Sequence, residues 1–261
     1  MRSADLIREA RLRAGLSQHE LAERSGRERS VIARWEQGAV APSLEAMLEI
    51  IRACGFELPL ELIPRDEAAY EQLSENALLS PERLVQRLLD KRSPDGSFEP
   101  YAILAALERQ HATYVVIGAF ARIIHGAEEI TNGLDITPSL RGGNIGRVGL
   151  ALDELNATRA NGEPLVLDEA SVRDEPVIEV RSPRGELKIV AEPAGTRGGY
   201  DDLRRAATRE PIGKGLRPTV ASTSDLARML AALGREEDVP KLIALRRLAD
   251  LERRLGPELG L

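Results

Sequence analysis

The stretch Leu16-Ser-Gln-His-Glu-Leu-Ala-Glu-Arg-Ser-Gly-Arg-Glu-Arg-Ser-Val-Ile-Ala-Arg-Trp-Glu36 decides how the first quarter of the chain folds. Ser17 and Glu20 stand three residues apart as a capping box, so a helix is predicted to begin at Gln18. Leu21 and Ala22 supply its buried face, and Gly26 ends it, because glycine enters the left-handed region at little cost. A second helix is predicted from about Arg29. It buries Ile32 and Trp35 and leaves Arg29, Ser30, Ala33 and Arg34 nearer the surface. Two short helices joined by a tight turn, with polar groups on the outer face of the second, suit the DNA major groove.

These residues resemble the Cro/repressor (XRE-type) helix-turn-helix family. The likeness continues through Gly38, Pro42-Ser43-Leu44 and Leu48-Glu-Ile-Ile-Arg-Ala-Cys-Gly55. It implies an all-helical, lambda-repressor-like domain of five helices over residues 1–64, whose third helix reads base edges of double-stranded DNA. The DNA-binding set so implied is Gln18, Arg27, Glu28, Arg29, Ser30 and Arg34. Gln18, at a helix start, is expected to hold a phosphate. Arginine pairs bidentately with guanine, and a short hydroxyl fits either kind of base. Two positions depart from the family pattern: Arg27 stands where an apolar residue is usual, and Glu28 where a small capping residue is usual. An acid there either accepts from cytosine or repels phosphate. Dimers on an inverted-repeat operator are the expectation from family and symmetry.

Charge alone does not suggest a nucleic-acid partner. The chain has 261 residues and a formal net charge of −6, so any DNA contact must come from a local patch. Arg2, Arg8, Arg11, Arg13, Arg24, Arg27, Arg29 and Arg34 provide one, interleaved with Asp5, Glu9, Glu20, Glu23, Glu28 and Glu36. An aromatic content of 3% argues against stacking platforms for single strands. A single cysteine, Cys54, excludes an intrachain disulfide and a cysteine metal cluster, and it reads as a small core residue. No apolar signal segment opens the sequence and no run is long enough to span a bilayer, so a cytoplasmic protein without membrane partner is expected.

Two domains are expected at this length. Residues 65–80 read as a polar connector, helical from Asp66 to Asn76, and residues 81–261 as an α+β second domain. Ser80-Pro81 opens a helix that runs to Lys91 and stops at Ser93-Pro-Asp-Gly96. Beyond Pro100 helices and strands alternate. Helices are predicted over 101–110, 119–125 and 144–155, and strands over 114–117, 134–137, 177–181 and 187–190, the last two around a Pro183-Arg-Gly185 turn.

Val115-Val-Ile-Gly118, then His125-Gly126, then Ile130-Thr-Asn-Gly-Leu-Asp-Ile-Thr137 resemble the minimal nucleotidyltransferase superfamily, closest to the branch found in toxin–antitoxin and abortive-infection loci. Gly185-Glu-Leu-Lys188 and the segment from Asp225 to Asp238 fit its later motifs, so the likeness covers residues 98–255. The resemblance implies an Asp-x-Asp pair and a third carboxylate holding two divalent cations. Only Asp135 is present here; Gly133 and Lys188 stand at the other two positions. One carboxylate serves a hard cation poorly, and an ammonium beside it repels the ion. No metal and no cofactor are therefore expected, and Glu128 and Glu129 are the only substitute ligands in view. Gly118, Asp135 and Lys188 form a weak candidate nucleotide site, with the helix start at Gly118-Ala119 receiving phosphate. The duller readings are that Asp135 salt-bridges at a strand end, His125 satisfies a carbonyl at a helix end, and Arg235 pairs with Asp238 within a turn.

The expectation is a DNA-binding transcriptional regulator with a catalytically inactive nucleotidyltransferase-like domain, serving dimerisation, nucleotide sensing or a cognate toxin or other protein partner. The competing expectations are an active nucleotidyltransferase that modifies RNA or protein, and a phage-defence scaffold that binds only proteins.

Overall fold

The computed structural model describes residues 3–58, 67–91 and 98–259, with side chains through Glu252. The chain divides into two compact units, Met1–Arg65 and Asp66–Leu261.

In the first unit, α1 (Ser3–Arg13), α2 (Gln18–Ser25), α3 (Arg29–Glu36) and α4 (Leu44–Ala53) enclose one apolar core. Ile7, Leu21, Ile32, Trp35, Ile50 and Cys54 are all buried in it. Both expected caps are formed. Ser17 Oγ accepts from the Glu20 amide and the Glu20 carboxylate accepts from the Ser17 amide, while Gly26 ends α2 at φ 64°, ψ 25°. Ser43 caps α4 by accepting from the Ala46 amide. Residues 59–66, where the first domain is expected to end near Pro64, lie outside the described residues.

The second unit opens with α5 (Glu67–Ala77), α6 (Pro81–Lys91) and α7 (Pro100–Arg109). The segment expected as a connector packs as part of this unit: Leu73 of α5 is buried against Ala127 and Leu248. Next come β1 (Tyr114–Ile117), α8 (Gly118–Ile124), β2 (Gly133–Pro138), α9 (Asn144–Glu154), β3 (Thr158–Arg159), α10 (Glu169–Asp174), β4 (Val177–Ser182) and β5 (Gly185–Val190). The chain continues through α11 (Tyr200–Leu203), β6 (Thr208–Arg209), β7 (Thr219–Val220), α12 (Thr223–Leu233), a 3₁₀ turn at Glu236–Asp238 and α13 (Val239–Leu259). The strands form one mixed sheet ordered β3-β4-β5-β2-β1-β7-β6. Its centre pairs β1 antiparallel to β2, and β2 parallel to β5.

Two kinds of strand coexist in this sheet. All four residues of β1 are buried, as expected of a strand covered on both faces. β4 and β5 alternate instead: Ile178, Val180, Leu187 and Ile189 point inward, and Glu179, Arg181, Glu186 and Lys188 outward. That outer face is where Asp135 of β2 also points, because Asp135 pairs in register with Lys188 and Lys188 with Glu179.

Candidate functional site

In the first unit, α3 is held from behind by a polar cluster. Arg11 of α1 donates from Nε to Glu36 Oε1 at 2.7 Å and from Nη2 to Oε2 at 3.0 Å; its Nη1 donates to the Leu16 carbonyl at 2.9 Å. Gln18 Nε2 donates to the same Glu36 carboxylate at 2.9 Å. The Arg11 and Glu36 side chains are only 11% and 5% exposed, so each charge depends on the other. Burial by itself would raise the Glu36 carboxyl, but the donors Arg11 and Gln18, with the charges of Arg11 and Arg8, bring it below the usual carboxylate range. Sequence reasoning missed Arg11 as a partner, since 25 residues separate it from Glu36.

The candidate reading residues fall into two groups. Glu28, Arg29, Ser30 and Arg34 are exposed, and among the described residues neither arginine has a carboxylate within ion-pair distance. Glu28 occupies the N-cap of α3 without making a side-chain cap bond; its carboxylate accepts from Ser30 Oγ at 3.1 Å instead. Arg27 and Gln18 are half-buried and already engaged. The Arg27 guanidinium lies 5.1 Å from the centre of the Trp35 ring, and its Nη2 donates to Glu49 at 2.5 Å. Arg27 therefore links the turn to α3 and α4. Its Nε is buried with no hydrogen-bond partner among the described residues.

In the second unit the structure brings Gly118, Asp135 and Lys188 to one place. Gly118 sits at φ 69°, and a Cβ built there would come within 1.9 Å of Asp135 Oδ2. The space that a side chain at Gly118 would take is thus filled by the Asp135 carboxylate. Lys188 Nζ pairs with Glu179 at 2.7 Å, a partner that sequence reading missed. Burial raises the Asp135 carboxyl above its ordinary range, against the lowering charges of Lys188 and Arg122.

The side chains around Asp135 do not fit the pair of divalent cations that the transferase resemblance implies. Gly133 offers no oxygen, and a Cβ there would meet the Glu186 carbonyl oxygen at 2.9 Å, so an acid cannot enter without a backbone shift. Glu129 is clamped by Arg122, whose Nε and Nη2 each donate at 2.6 Å, and Glu128 accepts from Lys91 and from Asn76 Nδ2. Among the described residues no group of three or more His, Cys, Asp and Glu side chains is placed to hold a metal ion.

His125 has the plain role: its ring Nε2 lies 2.8 Å from the Ala221 carbonyl oxygen, and Nδ1 lies 3.5 Å from Glu252. The expected Arg235–Asp238 pair gives way to Asp238 with Lys241 at 2.7 Å, because Asp238 faces the first turn of α13; Arg235 lies nearest Glu237.

A known protein family described as a helix-turn-helix domain matches residues 4–62. No curated protein and no solved structure matches the chain. The first unit is thus a helix-turn-helix domain, and none of the described helices is long and apolar enough to cross a membrane.

Proposed function

We propose that the chain is a sequence-specific transcriptional regulator that inserts α3 into the major groove of an inverted-repeat operator as a homodimer. The observation that carries this reading is the outer face of α3. Arg29, Ser30 and Arg34 stand exposed on it, the two arginines without acidic partners among the described residues, while Arg11, Glu36 and Gln18 fix the helix from behind. A free guanidinium on a rigid helix can donate two bonds to guanine O6 and N7. Glu28, whose carboxylate is aligned by Ser30, is suited to accept from the cytosine amino group. Gln18 and the α2 start contribute a phosphate contact.

The second unit is proposed to keep a nucleotidyltransferase-like arrangement without the reaction, and to serve dimerisation or a protein partner such as a cognate toxin. The β1–α8–β2 order, with β5 parallel to β2, supports the arrangement. Gly133 and Lys188 speak against chemistry. Footprinting on the DNA upstream of the chain's own gene tests the regulatory reading. A protected inverted repeat is expected; no protection there or beside neighbouring genes would remove autoregulation.

A further inference from the structure

Asp135, Lys188 and Glu179 stand side by side on β2, β5 and β4 in direct register, so their side chains share one face of the sheet. We infer that Lys188 is a built-in counter-cation for this face, its single ammonium opposing both carboxylates so that they coexist without a bound cation. The inference follows from strand register and ion pairing and stands apart from the transferase resemblance.

Asp135 is the half-buried member of the row, Glu179 and Lys188 being exposed. Its carboxylate is pressed so closely against the Cα of Gly118 that no side chain fits at that position. Arg122 is the other cation that acts on it, but two of its three guanidinium nitrogens are held by Glu129. Lys188 is directly opposite Asp135 across the β2–β5 ladder and reaches Glu179 on its far side. The hydrogen bond to Glu179 holds the Lys188 ammonium above its usual range; burial opposes this, and the charges of Glu179, Asp135 and Glu186 add to it. Glu186 is itself 3.6 Å from Arg181, which draws part of its charge away from the row. With the ammonium removed, Asp135 and Glu179 would face each other across β5 with no positive group between them. Like charges so placed repel, and the repulsion is least screened at the half-buried carboxylate.

Thermal melting of the full chain in chelator and in manganese chloride tests this. The wild type is expected to melt at the same temperature in both. Lys188→Met should lower the midpoint in chelator, and Lys188→Arg, which keeps the charge, should not. The double variant Lys188→Met/Asp135→Asn should recover most of what the single variant loses, because the carboxylate that needed the ammonium is gone. Three results would overturn the inference: a Lys188→Met midpoint equal to wild type, a double variant as unstable as the single one, or a manganese-dependent rise in the wild type abolished by Asp135→Asn. If Lys188→Met does not fold at all, the double variant must still fold; its failure would count equally against the counter-cation. Nucleotide-transfer and DNA-binding assays bear on the proposed function, and neither outcome alters this test.

Discussion

On α3 of the first unit Arg29 and Arg34 face outward with no acid within ion-pair distance among the described residues, whereas the cations packed around the Asp135 face and on α12 of the second unit are already held by acids. There Lys188 is held by Glu179, Arg122 by Glu129, and Arg228 by both Asp202 and Asp225. Both units lie in an acidic chain, so the number of basic residues does not separate them. What separates the α3 face from these sites is whether the cation already has its anion. A compensated arginine gains little by meeting a phosphate or a base, since it must first give up a partner. An uncompensated one on a rigid helix keeps its full donor set for a ligand.

The largest effect should come from the cluster behind α3. Glu36→Ala leaves the Arg11 guanidinium buried without its counter-charge and should cost about 3–5 kcal/mol in denaturant unfolding. The same pair makes the first unit acid-sensitive. The folded Glu36 carboxyl lies below its ordinary range, so its stabilisation is complete above the unfolded value and is lost as pH falls through the folded one. Stability measured downward from pH 5 should therefore drop more steeply in the wild type than in Glu36→Gln.

Gly118→Ala comes next, at about 2–3 kcal/mol, since the new methyl meets Asp135 and a positive φ disfavours alanine. The cost should shrink in an Asp135→Ala background; an unchanged cost would mean that backbone strain alone sets it. Arg29→Ala should take about 1–3 kcal/mol from operator binding while leaving the melting temperature in place. Arg27→Ala should do the converse. It should lose about 0.5–1 kcal/mol of stability through the Trp35 contact and leave base preference unchanged. A base preference that changed with Arg27 would move this residue from the supporting group to the reading group.

The parts of the fold that were legible in the sequence are those set by neighbours along the chain. The Ser17–Glu20 box, the Gly26 turn and the in–out alternation of β4 and β5 each depend on residues a few positions apart. The rest depends on distant partners. Asp66–Asn76 looks like a polar connector until Leu73 meets Leu248, 175 positions later. β6 and β7 have two residues each, too few for a periodic signal. At the sites, the exposed α3 residues followed from helical spacing. Glu36 as the anchor of Arg11 and Gln18, and Glu179 as the partner of Lys188, arise from tertiary packing and cross-strand register. Gly118 reads in the sequence as a close strand-to-helix turn; that its missing side chain makes room for the Asp135 carboxylate depends on a neighbouring strand.

The central claim is that the free arginines of α3 read DNA sequence, and selection from a randomised duplex library with the full chain tests it most directly. Wild type should enrich a palindromic motif whose half-sites contain guanine, and Arg29→Ala should lose preference at one base pair per half-site while other positions persist. Enrichment of no motif, or the same motif at undiminished preference from Arg29→Ala and Arg34→Ala alike, would contradict it.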